Sequence, residues 1–376
     1  MTKFLPTSAV LKSIALASVL LSPALLLSAC GGTSSSTSTG STELNIAATE
    51  VIDNTIIPAA TRFQQQVENL VSESQSFCTT GNTTEVNLAA LQQQWIDTNL
   101  AWYELLPYRF GPMINSEVLP TYIFIDNYRQ RGNDAHDTVR GKIDALIATA
   151  TDAAYNAELS TVGANSQGLL ALEIALFEDA ASESPAASDI TTEFVNSPRK
   201  CQLLNDFANM LLDRANDIQQ GWTNDYRETG KSYRDLIVNN QLEDVLDDEA
   251  GESAIKKITI SVQEFYDYLG KRDVATNAAQ LSDSIWQALD KSLANTEELL
   301  AGTTATNLSL NAIMANNRFE QTVLDITDNI QTLRSAFEEE NIVDMKAAAA
   351  ILDGNFKREI PEALNINLGL NFSDGD

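Results

Sequence analysis

The chain has 376 residues, with 24 Lys and Arg against 52 Asp and Glu, three cysteines and one histidine. A net charge of −28 without any run of basic residues leaves no positive field for phosphates, so nucleic acid is excluded as a partner. A lone histidine rules out sites that need two, such as H-E-x-x-H zinc centres, while the 44% hydrophobic content and the length predict a sizeable core divided into two domains.

The N-terminus reads as a targeting segment. Lys3 and Lys12 form a positive region, Ser13 to Leu27 is apolar, and small residues lead to Leu27-Ser28-Ala29-Cys30. This resembles a bacterial lipobox, which implies a signal peptide over residues 1–29 and acyl chains on Cys30. The alternative is a transmembrane anchor, but the apolar stretch is short for a span of about 20 residues. Gly31 follows the cysteine, where an aspartate would signal inner-membrane retention; by resemblance to Gram-negative lipoproteins this implies an outer-membrane lipoprotein facing the periplasm, with the membrane as partner through its lipid. Gly31 to Thr42 reads G-G-T-S-S-S-T-S-T-G-S-T and offers nothing apolar to bury, so residues 30–43 are expected to be a lipidated tether. Lys3 and Lys12 would leave with the signal, turning −28 into −30.

Beyond residue 43 the apolar period is helical. Ile56, Ala60, Phe63, Val67 and Leu70 form one stripe, with Pro58 expected either to kink the helix or to begin its regular part. Leu203, Phe207, Leu211, Ile218 and Trp222 form a second stripe, and Val323, Ile326, Ile330, Leu333 and Phe337 a third. Only Thr121 to Ile125 and Ile258 to Val262 look strand-like. The expectation is an all-α fold of two up-and-down helical bundles with a cleft between them. Breaks are expected at Thr79 to Thr84, Gly111-Pro112, Arg131 to Asp134 and Ala180 to Pro198, the last dividing an N-terminal domain at 44–190 from a C-terminal domain at 191–376. Cys78 and Cys201 remain after the lipidated cysteine. Export to an oxidising compartment predicts that they pair, the alternative being two buried thiols.

Two segments stand out for function. Trp95 and Trp102 lie seven residues apart on one helix face and lead into Tyr108-Arg109-Phe110-Gly111-Pro112, which reads either as core aromatics with a helix stop or as part of a site. Ser166 to Phe177 is a nearly apolar helix with one carboxylate, Glu173. Burying it requires a partner such as Arg109, a cation, or a proton.

These segments resemble the imelysin-like proteins, the peptidase M75 family of bacterial envelope proteins. The likeness rests on V-I-D-N-T-I-I-P-A-A-T-R-F at Val51 to Phe63, on the Trp95, Trp102 and Arg109-Phe110-Gly111-Pro112 series, on Gly168 to Phe177 as the G-x-H-x-x-E region, and on Leu368 to Asp376 as the L-G…F…D-G-D ending. It implies a two-domain helical fold with a site between the domains, linked to iron uptake, although the founding member was described as a peptidase. Leu170 stands where the motif has histidine, and leucine offers no lone pair to a metal. His136, flanked by Asp134 and Asp137, reads as a solvated residue of a capping turn, with use as a ligand the alternative. Ser/His/Asp catalysis would require the same histidine, and no G-x-S-x-G accompanies it.

Any cation site must therefore be built from carboxylate oxygen, suited to iron or another oxygen-coordinated cation, with Glu173 as its metal-binding residue. Glu243 to Glu249 lacks the EF-hand order and reads as a solvated acidic loop. The expected function is a non-catalytic envelope binding protein for a metal or iron compound, its cleft lined by Trp102, Arg109 and Glu173. The alternative is an M75-type envelope peptidase.

Overall fold

A computed structural model describes residues 36–115, 119–126, 135–179, 186–246, 252–303 and 308–369. The expected signal, Cys30, the Arg131 to Asp134 break and the Asp374-Gly375-Asp376 ending lie outside them. Among the described residues no helix is long and apolar enough to cross a membrane.

The described chain is all-helical. In order, its helices are α1 (Ser36–Val51), α2 (Ile57–Phe77), α3 (Glu85–Leu105), α4 (Thr121–Ile125), α5 (His136–Ile147), α6 (Asp152–Leu159), α7 (Leu169–Phe177), α8 (Ala187–Asn196) and α9 (Pro198–Thr223). They continue as α10 (Tyr233–Val238), α11 (Leu242–Val245), α12 (Ala254–Lys271), α13 (Val274–Asn277), α14 (Ile285–Ala301), α15 (Leu310–Asn316), α16 (Glu320–Glu338), α17 (Ile342–Gly354) and α18 (Ile360–Leu364). The helix α1 starts at Ser36, inside the stretch expected to be a tether. Ala47, Ala48 and Val51 bury their side chains, and helix propagates backwards from that packed end because no proline or glycine pair interrupts it before Ser36.

Pro58 sits at the start of α2 behind a π-helical turn, Ile52–Ile56, in which the Ile57 N–H bonds the Ile52 carbonyl. Proline supplies no N–H and crowds the carbonyl four residues back, and the wider register just before it relieves that conflict without a break. The same device recurs near the other end. Asn355–Glu359 is π-helical, Ile360 N–H bonds the Asn355 carbonyl, and Pro361 follows.

All five residues of the first stripe are buried, Ile56 in the π-helical turn and the other four on α2, and so are all five of the second on α9. Helix α2 packs against both α3 and α9, and α7 packs against α3, α5 and α9. Helices α12, α16 and α17 form a further layered set, with Ile326, Ile330, Leu333 and Phe337 buried and Val323 half-buried on α16. Helix α14 packs against both α16 and α3. The end of α3 is stitched to that set by buried polar bonds. Ser292 Oγ donates to the Tyr103 carbonyl at 2.5 Å, Ser261 Oγ to the Pro107 carbonyl at 2.8 Å, and the Tyr108 hydroxyl to Asn295 Oδ1.

The two strand-like segments are helical. Ile258 to Val262 lies within α12, where Ile255, Ile258, Val262, Phe265 and Leu269 are buried at helical spacing, so the β-branched run is one stretch of an amphipathic face. Thr121 to Ile125 forms α4, a short helix whose Thr121, Ile123 and Ile125 are buried. The expected boundary at 190/191 falls inside α8, which is anchored by buried Ile190 and by Phe194 set edge-on to Phe77 at 5.1 Å. The stretch is polar overall, but two apolar residues one turn apart suffice to dock a helix.

The disulfide forms between Cys78 and Cys201, with the Cα atoms 5.6 Å apart and a separation of 123 in sequence. Cys78 caps the end of α2 and Cys201 lies in the first turn of α9. The bridge therefore clamps two helices that already pack side by side.

Candidate functional site

Glu173 sits in the middle of α7, a helix in which every residue from Leu169 to Leu176 is buried. The carboxyl is 1% exposed. Its partner is not Arg109. The Oε1 atom accepts two hydrogen bonds from Ser282, one from the backbone N–H and one from the hydroxyl, each 2.9 Å long. The Ser282 hydroxyl also lies 2.9 Å from Ser284 Oγ. Glu173 Oε2 is buried with no hydrogen-bond partner. Burial pushes the carboxyl pKa up to about 7, a rise that the Ser282 and Leu281 donors limit and that the nearby Glu178 charge augments. Of the outcomes that burial allowed, an ion pair, a cation or a proton, burial favours the proton below about pH 7.

The turn that carries Ser282 lies between α13 and α14, and Ala279 and Asp283 within it have positive φ, at 50° and 52°. At the start of α7, Gly168 has φ +77°, and a Cβ there would stand 2.4 Å from the Ile125 carbonyl oxygen and 2.6 Å from that of Phe124. Gly168 thus brings α7 directly against the end of α4. Trp95 Nε1 donates to the Leu169 carbonyl at 3.1 Å, tying the first turn of α7 to α3.

The far end of α7 is held by charge. Arg140 grips Glu178 through Nε and Nη2 at 2.7 Å each, and Glu178 is 3% exposed. Lys200, also buried, donates through Nζ to the Glu178 carbonyl at 3.1 Å and pairs with Glu193. Desolvation by burial lowers the Lys200 pKa, and the neighbouring acids oppose that shift, Glu193 most strongly. Two cations at a helix C-terminus complement its dipole. A small cavity of about 40 Å³ opens among Arg140, Ile174, Glu193 and Lys200.

Trp102 is fully buried, its ring 5.1 Å from that of Phe63 and its Nε1 donating to Asp126 Oδ2 at 3.1 Å. It is a core residue that fixes the end of α4 and does not line a cleft. Arg109 lies beyond α3 and points elsewhere. Its Nη2 reaches Glu264 Oε2 of α12 at 3.5 Å, its guanidinium lies 5.4 Å from the centre of the Tyr122 ring on α4, and its Nε is buried without a partner. Phe110 and Gly111 complete a packed corner, with Phe110 edge-on to Trp222 at 5.5 Å and Gly111, at φ +54°, leaving no room for a Cβ beside Tyr233. Helix α4 is the common neighbour: Arg109 stacks on it, Trp102 caps its end through Asp126, and Gly168 abuts its last carbonyls.

Leu170 and Glu173 do not fit a resident metal. Leu170 is buried and offers no ligand, and Glu173 faces donors where a metal site would present further lone pairs. Among the described residues no group of three or more His, Cys, Asp or Glu is arranged to hold an ion. His136 opens α5 beside exposed Asp137 and is itself half-buried. Of the acidic run, Glu243 to Val245 lies in α11, and Asp247 to Glu249 is outside the described residues. Ser282, Asp126 and Glu264 were not legible as partners. Each is an ordinary polar residue in sequence, far from the side chain it meets, and no local signal marks it.

Comparisons with known proteins agree with this architecture. An imelysin-like protein from Psychrobacter arcticum is similar to the chain at 18% identity and a TM-score of 0.61, covering 88% of this chain and 98% of its own. A "putative iron-regulated protein A precursor" from Parabacteroides distasonis is similar at 13% identity and a TM-score of 0.59, covering 86% of this chain and 95% of its own. A search of curated proteins finds no significant match. The family model for imelysin, peptidase M75, matches residues 56–363, and the chain belongs to that family.

Proposed function

We propose that this imelysin-family chain is a non-catalytic binding protein of the bacterial envelope, held by lipid on Cys30 at the periplasmic face of the outer membrane and serving the uptake of iron or an iron compound. The arrangement at the motif supports this reading most directly. On the family resemblance Leu170 stands where the motif has histidine, and Glu173 is buried on α7 and bonded to Ser282, so the two provide neither a metal grip nor a base open to a peptide. The iron assignment draws on the family and on the name of the Parabacteroides relative. Because no carboxylate cluster among the described residues converges on Glu173, we read the cargo as iron carried in a small chelate.

Denatured casein and peptide pools, with ferric citrate, haem and divalent cations tested in parallel by calorimetry, separate this from the peptidase reading. Binding of an iron compound without cleavage is expected. Metal-dependent cleavage abolished by Glu173→Gln would establish the peptidase instead.

A further inference from the structure

The partly buried arginines of this chain differ in how their side-on edge, the one formed by Nε and Nη2, is satisfied. Arg140 presents that edge to Glu178 at 2.7 and 2.7 Å, and Arg234 presents it to Asp53 at 2.8 and 2.7 Å. Both are paired forks of the kind that guanidinium geometry favours. Arg109 is different. Its side chain is 13% exposed, less than the 24% and 33% of those two, yet the same edge has one contact, Nη2 to Glu264 at 3.5 Å, and its Nε–H has no acceptor. Glu264 is itself 54% exposed, so water competes for it. A guanidinium stays charged under all ordinary conditions, and a charge that is nearly buried needs a partner close at hand.

Geometry around Arg109 holds the group ready and does not neutralise it. The Tyr122 ring, 5.4 Å from the guanidinium carbon, supports one face. Helix α4, which carries Tyr122, is fixed at its end by the Trp102 bond to Asp126 and by the close approach of Gly168 to the Phe124 and Ile125 carbonyls. Arg109 itself is followed by the tight Phe110-Gly111 corner, which restricts where its backbone can move. The fork is thus placed by two motif segments far apart in sequence, while its own acceptor is long and singly bonded.

We infer that the Nε and Nη2 edge of Arg109 is an anion receptor that takes a ligand carboxylate in place of Glu264. The inference rests on the reading of this chain as a binding protein and supplies the ligand's chemical class, a small polycarboxylate. Glu264 acts as a resident stand-in that a planar, bidentate carboxylate displaces. Since the chain as a whole is strongly acidic, such a ligand binds through this fork and not through a general field.

Calorimetry on the full chain with metal-free citrate and, separately, inorganic phosphate tests this. Citrate should bind, Arg109→Lys should weaken it at least tenfold although the charge is kept, and Glu264→Gln should tighten it several-fold by removing the competing carboxylate. Circular dichroism reports whether each variant folds, and Glu264→Gln, at an exposed position, gives an answer even if Arg109→Lys does not fold. Absence of citrate binding, phosphate binding alone, or citrate affinity unmoved by both substitutions would overturn the receptor. Citrate binding without any binding of an iron compound would retain the receptor and remove the iron assignment.

Discussion

Glu173 and Ser282 lie 109 residues apart in sequence and meet through two 2.9 Å hydrogen bonds on a single carboxylate oxygen, which locks α7 to the turn before α14. A buried acid held this way couples the stability of the fold to pH. Its native pKa, about 7, exceeds the ordinary value of 4.5, so between those limits the native state holds a proton that the unfolded chain has released. Stability from this group is present below about pH 4.5 and declines as pH rises towards 7, by about 3 kcal/mol as an order of magnitude. Glu173→Gln removes the titration. Urea denaturation of both proteins from pH 5 to pH 8 should show the wild type losing stability relative to the glutamine variant, and parallel profiles would refute the coupling.

The Ser282 hydroxyl supplies one of the two bonds to Glu173, and its loss leaves the backbone N–H. Ser282→Ala should cost about 1–2 kcal/mol near neutral pH. It should also raise the Glu173 midpoint further, since a donor to the charged form is removed. Carbon-detected NMR of the labelled carboxyl reads that midpoint, and a downward move would show that the serine does not stabilise the anion.

Gly168→Ala tests the approach of α7 to α4. The substitution sets a Cβ at 2.4 Å from a backbone carbonyl as well as placing alanine at positive φ, and a loss of about 2–4 kcal/mol is expected. Gly81 is the control. It too has positive φ, at +87°, but a Cβ there meets open space, so Gly81→Ala should cost only about 1–2 kcal/mol. Equal losses at the two sites would mean that the contact with α4 is unimportant.

Removing the Cys78–Cys201 bridge opens a loop of 123 residues, and in the chain-entropy view such a bridge contributes about 4–5 kcal/mol. The double substitution to serine should lower the denaturation midpoint strongly while leaving native helicity unchanged, because α2 and α9 still pack. Helicity lost in native buffer would show the bridge to be required for packing itself.

Much of the fold was legible because helical periodicity reports burial directly. The first two stripes are buried in full, and the pairing expected of Cys78 and Cys201 is present. Short segments were not legible. In Thr121 to Ile125 and Ile258 to Val262 β-branched residues mimic alternation, and only the length of α12, or the packing of α4 against α9 and beneath Gly168, decides for helix. At the site, Glu173 was identifiable because an isolated carboxylate in an apolar helix demands an explanation. Its partner was not, since Ser282 is one of several serines in polar turns. Trp102 was equally ambiguous in sequence between core and cleft. Its burial against Phe63 and its bond to Asp126 are tertiary facts that no spacing encodes.

The role proposed for this chain is to bind a small iron chelate without cutting peptides. Calorimetric titration of the full chain with ferric citrate tests it most directly: saturable binding at one site, weakened at least tenfold by Arg109→Lys, is the predicted result, and the absence of any saturable heat would contradict it.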